Sequence, residues 1–135
     1  GLAEHLLENK SRVSVVISYD SRIKSELFAK ESARTLASNG IKVYIVNRLM
    51  PTPVLSFCVR HLKCDAGIMI TASHNPAAYN GYKAYGEDGC QMTDVAANAV
   101  YDEIQSIDMF DGVKLADFDE AVNFIKDGII FIFEI

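Results

Sequence analysis

Three residues between positions 71 and 85 carry groups that could do group-transfer chemistry. Ser73 offers a hydroxyl, His74 an imidazole beside it, and Lys83 an ammonium ten residues on. They lie in the segment Thr71-Ala72-Ser73-His74-Asn75-Pro76-Ala77-Ala78-Tyr79-Asn80-Gly81-Tyr82-Lys83-Ala84-Tyr85. The apolar run Ala66-Gly67-Ile68-Met69-Ile70 leads into it and stops abruptly in small polar residues, an Asn-Pro step and an Asn-Gly step. That pattern delivers a serine from a strand into a tight loop.

A serine hydroxyl is a weak nucleophile until a neighbouring base or a prior modification activates it. Adjacent side chains on a loop diverge, and no G-x-S-x-G elbow surrounds Ser73, so a Ser/His hydrolase pair does not fit. Two readings of Ser73 stay open. In one it holds a phosphoryl group, with a helical turn opening at Pro76 that aims N–H groups and a positive dipole at the anion. In the other, Ser73 and Asn75 only shape a turn and cap it. His74 is either a donor to a phosphate oxygen or a loop hydrogen-bonder, and His5, His61 and His74 are too scattered to suggest a metal centre. Lys83 is either a solvated strand lysine or a general acid/base tuned by burial or a neighbouring cation. Arg22 is either a surface arginine or a phosphate-side cation. Tyr79, Tyr82 and Tyr85 read as packing or loop anchors.

These groups need a scaffold, and the rest of the chain supplies one. Leu2 to Leu7 reads as a helix, and the β-branched run Val13 to Tyr19 as a strand. Residues 24–38 put Ala29, Ala33, Leu36 and Ala37 on one helical face, with Gly40 as the stop. Lys42 to Val46 is a second strand. Thr52 before Pro53 predicts a capped helix running to about His61, followed by a third strand over Asp65 to Ile70. Gly81 to Tyr85 is a short strand, and Glu87-Asp88-Gly89 a turn. Thr93 caps a helix with Ala96, Val100, Ile104 and Ile107 on its inner stripe. A short helix over Ala116 to Lys126 and an apolar strand over Gly128 to Phe133 complete the alternation.

Strand–helix–strand order with right-handed crossovers predicts a three-layer α/β/α sandwich on a mainly parallel, mixed sheet, within one domain spanning residues 1–135. Ligands of such sheets bind beyond the carboxyl ends of the strands. Asp20-Ser21-Arg22, the segment from Asn47 to Thr52, and the segment from Thr71 to Asn80 all fall on that edge.

Composition narrows the classes. Half of the 135 residues are hydrophobic and 23% are charged, an ordinary globular balance. A net charge of −5 argues against broad nucleic-acid binding, so an anionic substrate needs a local basic pocket. The three cysteines Cys58, Cys64 and Cys90 have no metal-type spacing and suggest reduced thiols in a cytoplasm. No apolar run approaches transmembrane length, and the acids among the first ten residues do not read as a signal peptide.

Several segments, in order, resemble the alpha-D-phosphohexomutases, the family of phosphoglucomutase and phosphomannomutase. They are Ser18-Tyr19-Asp20-Ser21-Arg22, Asn39-Gly40-Ile41-Lys42-Val43-Tyr44, Pro51-Thr52-Pro53, the run from Cys64 to Pro76, Tyr79-Asn80-Gly81-Tyr82-Lys83 and Asp88-Gly89-Cys90-Gln91. The resemblance implies that Ser73 is a phosphoserine. It would donate its phosphoryl group to a hexose phosphate, forming a bisphosphate intermediate between hexose 1-phosphate and hexose 6-phosphate. It implies that Lys83 transfers protons, and that His74 and Asn75 support the transfer. A Ser73 phosphoryl oxygen would bind Mg²⁺, with glucose 1,6-bisphosphate as activator.

The family has four domains, and the resemblance covers only domain I. The expectation is therefore an excised domain, lacking the N-terminal strand, the Mg²⁺ loop of domain II and the sugar and phosphate loops of domains III and IV. Such a domain would be inactive alone, with the remaining domains as its partners. Its exposed apolar surface around Val54 to Phe57 and Gly128 to Phe133 would promote self-association. The competing expectation is a non-catalytic phosphosugar-binding or interaction module of the same fold.

Overall fold

A computed structural model describes residues 1–108, 110–123 and 129–132. Ten elements follow one another: α1 (Leu2–Leu7), β1 (Ser14–Tyr19), α2 (Ser25–Ser38), β2 (Lys42–Val46), α3 (Thr52–His61), β3 (Ala66–Ile70), β4 (Tyr82–Gly86), α4 (Asp94–Ser106), α5 (Phe118–Asn123) and β5 (Ile129–Ile132). The expected residues 124–126 of the last helix, and Gly128 and Phe133 of the last strand, lie outside the described residues.

The strands form one sheet in the order β4-β3-β1-β2-β5. β1 runs parallel to β2 and β3, and β5 parallel to β2. β4 alone is antiparallel, paired with β3. The connection over residues 71–81 explains this, because a parallel return needs a crossover of about a dozen residues or more. Helices cover both faces, giving the α/β/α sandwich expected from the sequence.

Alternation along the strands sorts the core into two clusters. Val15, Ile17 and Tyr19 of β1 face the side of α1, α2 and α5, with Ile68 and Ile70 of β3. Val16 of β1 and Met69 of β3 face α3, where Leu55, Cys58 and Val59 cover them. Burying each such aliphatic side chain stabilises the fold by roughly 1.5–3 kcal/mol. The predicted face of α2 is the one buried: Ala29, Ala33 and Leu36. Gly40 ends that helix region at φ 77°, as a C-terminal stop requires.

Two local expectations need correction. Thr52 is not the cap of α3. Pro51 holds that position with extended backbone and no side-chain cap bond, placing Thr52 and Pro53 in the first turn. Thr93 does cap α4, accepting from the Ala96 N–H. The stripe of α4, however, is not buried against the sheet: no residue of that helix is fully buried, and Ile104 is 50% exposed. α4 packs on α1 instead, and a short helix covers it only in part. Among the described residues, no helix is long and apolar enough to cross a membrane.

Candidate functional site

β1 and β3 are neighbours whose connections leave the sheet in opposite directions, β1 through α2 toward β2 and β3 directly into β4. Such a point opens a crevice at the carboxyl ends of the strands. Two loops meet there: residues 20–24 after β1 and residues 71–81 after β3. The Asp20 N–H donates to the Ile70 carbonyl at 3.2 Å, closing the loops on each other at their bases.

The structure brings Ser73 and Lys83 together. Lys83 Nζ donates to Ser73 Oγ at 2.5 Å. The pairing of β3 with β4 makes this possible, since Lys83 stands opposite Met69 and the loop returns Ser73 over the same face. Gly81 lets the return close. The Thr71 N–H donates to the Gly81 carbonyl at 3.0 Å, and a Cβ on Gly81 would stand 2.8 Å from the Thr71 carbonyl oxygen. Ser73 is exposed and holds a left-handed backbone, φ 54°.

No helix opens at Pro76. The segment from Ser73 to Tyr79 makes two successive turns, closed by the Asn75 N–H on the Ala72 carbonyl at 3.0 Å and the Tyr79 N–H on the Pro76 carbonyl at 2.9 Å. The helix dipole expected to face a phosphoryl group is therefore absent from this loop. The Pro-Ala-Ala run has the composition of a first helical turn, but the strand return at Asn80-Gly81 leaves no room to extend it.

Arg22 takes an unexpected place. Its Nη1 donates to the carbonyls of Asn75 at 2.6 Å, Pro76 at 2.9 Å and Tyr79 at 3.2 Å. Its Nη2 donates to the Ser73 carbonyl. The guanidinium is thus the hub around which the serine loop is folded, with its side chain only 10% exposed. His74 and Asn75 stay at the rim: both are exposed, and among the described residues neither side chain makes a hydrogen bond. Tyr85 is buried and packs beside α3, whereas Tyr79 and Tyr82 are exposed.

Four polar residues at this edge, Asp20, Ser25, Thr71 and Asn80, are not singled out by the sequence. Asp20 accepts from Thr71 Oγ1 at 2.6 Å, Arg22 Nε at 2.9 Å, the Arg22 N–H at 3.1 Å and Ser25 Oγ at 3.1 Å. Burial pushes its carboxyl up, but the bonds from Thr71, the Arg22 backbone, Ser25 and the guanidinium together outweigh that and hold it below the usual carboxylate range. Asn80 Nδ2 donates to Ser25 Oγ at 2.8 Å and to the Ile23 carbonyl at 3.2 Å. The hint in the sequence is that Asp20, Thr71 and Asn80 belong to polar loops on the binding edge; Ser25 carries none.

Fold and site together define an α/β/α domain that presents a lysine-paired serine at the switch point of its sheet. Comparison with known proteins makes this specific: residues 1–111 match the family model "Phosphoglucomutase/phosphomannomutase, alpha/beta/alpha domain I", and the chain belongs to that family. It is 45% identical over 128 residues to a phosphoglucomutase of Staphylococcus saprophyticus, covering 95% of this chain and 23% of that protein. It is 39% identical over 138 residues to a Schizosaccharomyces pombe protein named "Probable phosphoribomutase", covering 94% of this chain and 24% of that one. A crystal structure described as a "putative phosphomannomutase", from Thermus thermophilus, superposes with a TM-score of 0.76 at 32% identity, over 98% of this chain and 27% of the other. The chain thus spans about a quarter of the length of these relatives.

Proposed function

We propose that this chain is the serine-bearing domain of a hexose phosphate mutase, which interconverts hexose 1-phosphate and hexose 6-phosphate through a phosphoserine at Ser73. The observation that carries the reading is the 2.5 Å approach of Lys83 Nζ to Ser73 Oγ. A turn-forming serine has no need of an ammonium on its oxygen, whereas a phosphoryl carrier does. In the forward step the bond from phosphorus to Ser73 Oγ breaks and a bond from phosphorus to a sugar hydroxyl oxygen forms. One proton moves from the sugar hydroxyl to the departing Ser73 Oγ, and Lys83 can relay it: its ammonium gives a proton to the serine oxygen, and the amine so formed takes up the one that the hydroxyl releases. The product of that step is a sugar bisphosphate. Return of its other phosphoryl group to Ser73 restores the enzyme and completes the isomerisation, with glucose 1,6-bisphosphate able to prime it.

Arg22 serves this reading as the organiser of the serine loop, by its four carbonyl contacts. Exposed His74 and Asn75 are free to turn toward a phosphoryl group. Mg²⁺, when bound, would spread the charge of the transferring phosphoryl group. The ligand that this chain offers is a hard phosphoryl oxygen on exposed Ser73. Among the described residues no group of three or more His, Cys, Asp or Glu could hold the ion, and the Asp20 carboxylate is occupied by four donors. Its remaining ligands, like the sugar-selecting surface, would come from further domains of the kind the longer relatives possess. A cytoplasmic setting is part of the same proposal, in keeping with free Cys58, Cys64 and Cys90.

The test is peptide mass mapping of the complete polypeptide that contains this chain, after incubation with glucose 1,6-bisphosphate and Mg²⁺. One phosphoryl mass on the Ser73 peptide, lost in Ser73→Ala, is the expected result. An unmodified Ser73 in folded protein overturns the mutase reading in favour of a binding module. The isolated chain should show no conversion of glucose 1-phosphate. It should also self-associate through exposed apolar side chains such as Phe57 and Leu27, and a monomer by light scattering at high concentration would count against that.

A further inference from the structure

The Ser73 backbone needs to be held. At φ 54° a non-glycine residue sits in a left-handed conformation that its Cβ disfavours. Two bonds fix it there. Its N–H donates to Thr71 Oγ1 at 3.0 Å, and its carbonyl accepts from Arg22 Nη2. Neither partner is independent. The single proton of the Thr71 hydroxyl goes to Asp20 Oδ2 at 2.6 Å, which leaves the threonine oxygen as an acceptor for the Ser73 N–H. Arg22 Nε donates to the same Oδ2 at 2.9 Å. Both constraints on the serine backbone therefore converge on one carboxylate oxygen. The other oxygen, Oδ1, binds Ser25 Oγ at 3.1 Å, and Ser25 Oγ in turn accepts from Asn80 at 2.8 Å, so the far end of the loop is tied to the same group.

We infer that Asp20 is a positioning residue for phosphoryl transfer at Ser73, acting through the Thr71 hydroxyl and the Arg22 guanidinium to fix the backbone from which Ser73 Oγ meets Lys83. The inference rests on the reading of Ser73 as a phosphoryl carrier. Asp20 has no bond to Ser73 or Lys83, so its effect is transmitted. A carboxylate is required by the donor set. Four N–H and O–H groups point at its two oxygens, and an asparagine there would turn an NH₂ group toward donors on one side. It would also leave the little-exposed Arg22 without its counter-charge. Positioning of this kind matters because a nucleophile displaced by about 1 Å loses on the order of 100-fold in rate.

The experiment uses the complete polypeptide as wild type, Asp20→Asn, Thr71→Val, Thr71→Ser and the double variant of Asp20→Asn with Thr71→Val. The readouts are the rate of Ser73 phosphorylation by glucose 1,6-bisphosphate with Mg²⁺, kcat and KM with glucose 1-phosphate, and the thermal midpoint. Asp20→Asn and Thr71→Val should each lower both rates by about 10- to 100-fold, with KM within about threefold. Thr71→Ser keeps the hydroxyl relay and should stay within about threefold of wild type. The double variant should be no worse than the poorer single variant, because the two residues act as one unit. A brace with no role in positioning would lower the thermal midpoint and leave the kcat of folded protein unchanged, and that result overturns the inference while the phosphoserine reading stands. A loss in Thr71→Ser as large as in Thr71→Val also overturns it. Wild type with an unmodified Ser73 overturns both. Should Asp20→Asn fail to fold, the Val/Ser pair at position 71 decides the matter alone.

Discussion

Each end of the sheet has an aspartate that reaches across to a neighbouring strand, and the two are built differently. At the amino end, Asp65 precedes β3 and accepts from the Ser14 N–H at 2.8 Å and from Lys10 Nζ at 2.7 Å. Lys10 also reaches Glu87 at 3.0 Å. The lysine and Glu87 are exposed, and ion pairs of that kind contribute about 1 kcal/mol or less. At the carboxyl end, Asp20 follows β1 and gathers four donors that are themselves bonded onward to the serine loop. The first aspartate pins strands that the core already holds in place. The second organises backbone that the core does not hold, including left-handed Ser73 and Lys24. Similar chemistry thus serves the fold at one end and the candidate reaction at the other.

The contrast between the two ends breaks most visibly at Lys83. Lys83→Met removes the ammonium from Ser73 Oγ but keeps a flexible chain on a half-buried strand position. We expect turnover of the complete polypeptide to fall by about 10²- to 10⁴-fold with the thermal midpoint nearly unchanged. Steady-state kinetics alongside a melting curve check it, and a variant within about threefold of wild-type turnover would remove Lys83 from the chemistry.

A pair of glycines sharpens the contrast in stability. Gly81→Ala forces a methyl to within 2.8 Å of the Thr71 carbonyl oxygen. It should destabilise by about 1–3 kcal/mol and displace the serine loop. Gly40→Ala meets no atom within 4 Å and pays only for its positive φ, about 1 kcal/mol. Urea unfolding should rank them in that order, and only Gly81→Ala should slow phosphorylation of Ser73.

Acid gives the smallest effect. Burial raises the Asp65 carboxyl, but the Lys10 ammonium and the Ser14 N–H and hydroxyl outweigh it, so Asp65, like Asp20, sits below the usual range. A carboxylate depressed in the folded state stabilises fully above its unfolded value, near ~4, and that contribution is lost as pH falls through the folded value. Stability should therefore hold from about pH 7 to about 5 and decline below about 4. Asp65→Asn and Asp20→Asn should each flatten the decline, as read from urea midpoints at successive pH values. In hydrogen exchange at low pH, residues 72–80 should loosen before β1 and β3 if Asp20 alone holds the loop.

Much of this is legible without coordinates. The β-branched runs of β1 and β2 and the apolar run of β3 carry their own signal, because buried parallel strands need little else. The Ser73–Lys83 pair is visible as spacing, since one strand, one loop and the returning strand bring them together locally. The Asp20–Thr71 bond is not, because its partners lie 51 residues apart and no local periodicity marks them. Arg22 is legible as a cation on the binding edge, but its grip on the serine loop is not, because the carbonyls it holds lie 51 to 57 residues further along the chain. The cap at Thr52 and the helix at Pro76 are propensities that the surrounding chain overrides, through Pro51 in one case and the Asn80-Gly81 return in the other.

The pairing of β3 with β4 sets Lys83 opposite Met69 and Tyr82 opposite Ile70, on opposite faces of the sheet. Register alone therefore decides which side chain meets Ser73. Sliding β4 by one residue would turn the ammonium to the other face, and sliding it by two would restore the face but carry the lysine about 7 Å along the strand, beyond reach of the serine oxygen. The length of the turn before Lys83 is thus as constrained as the identity of the lysine itself.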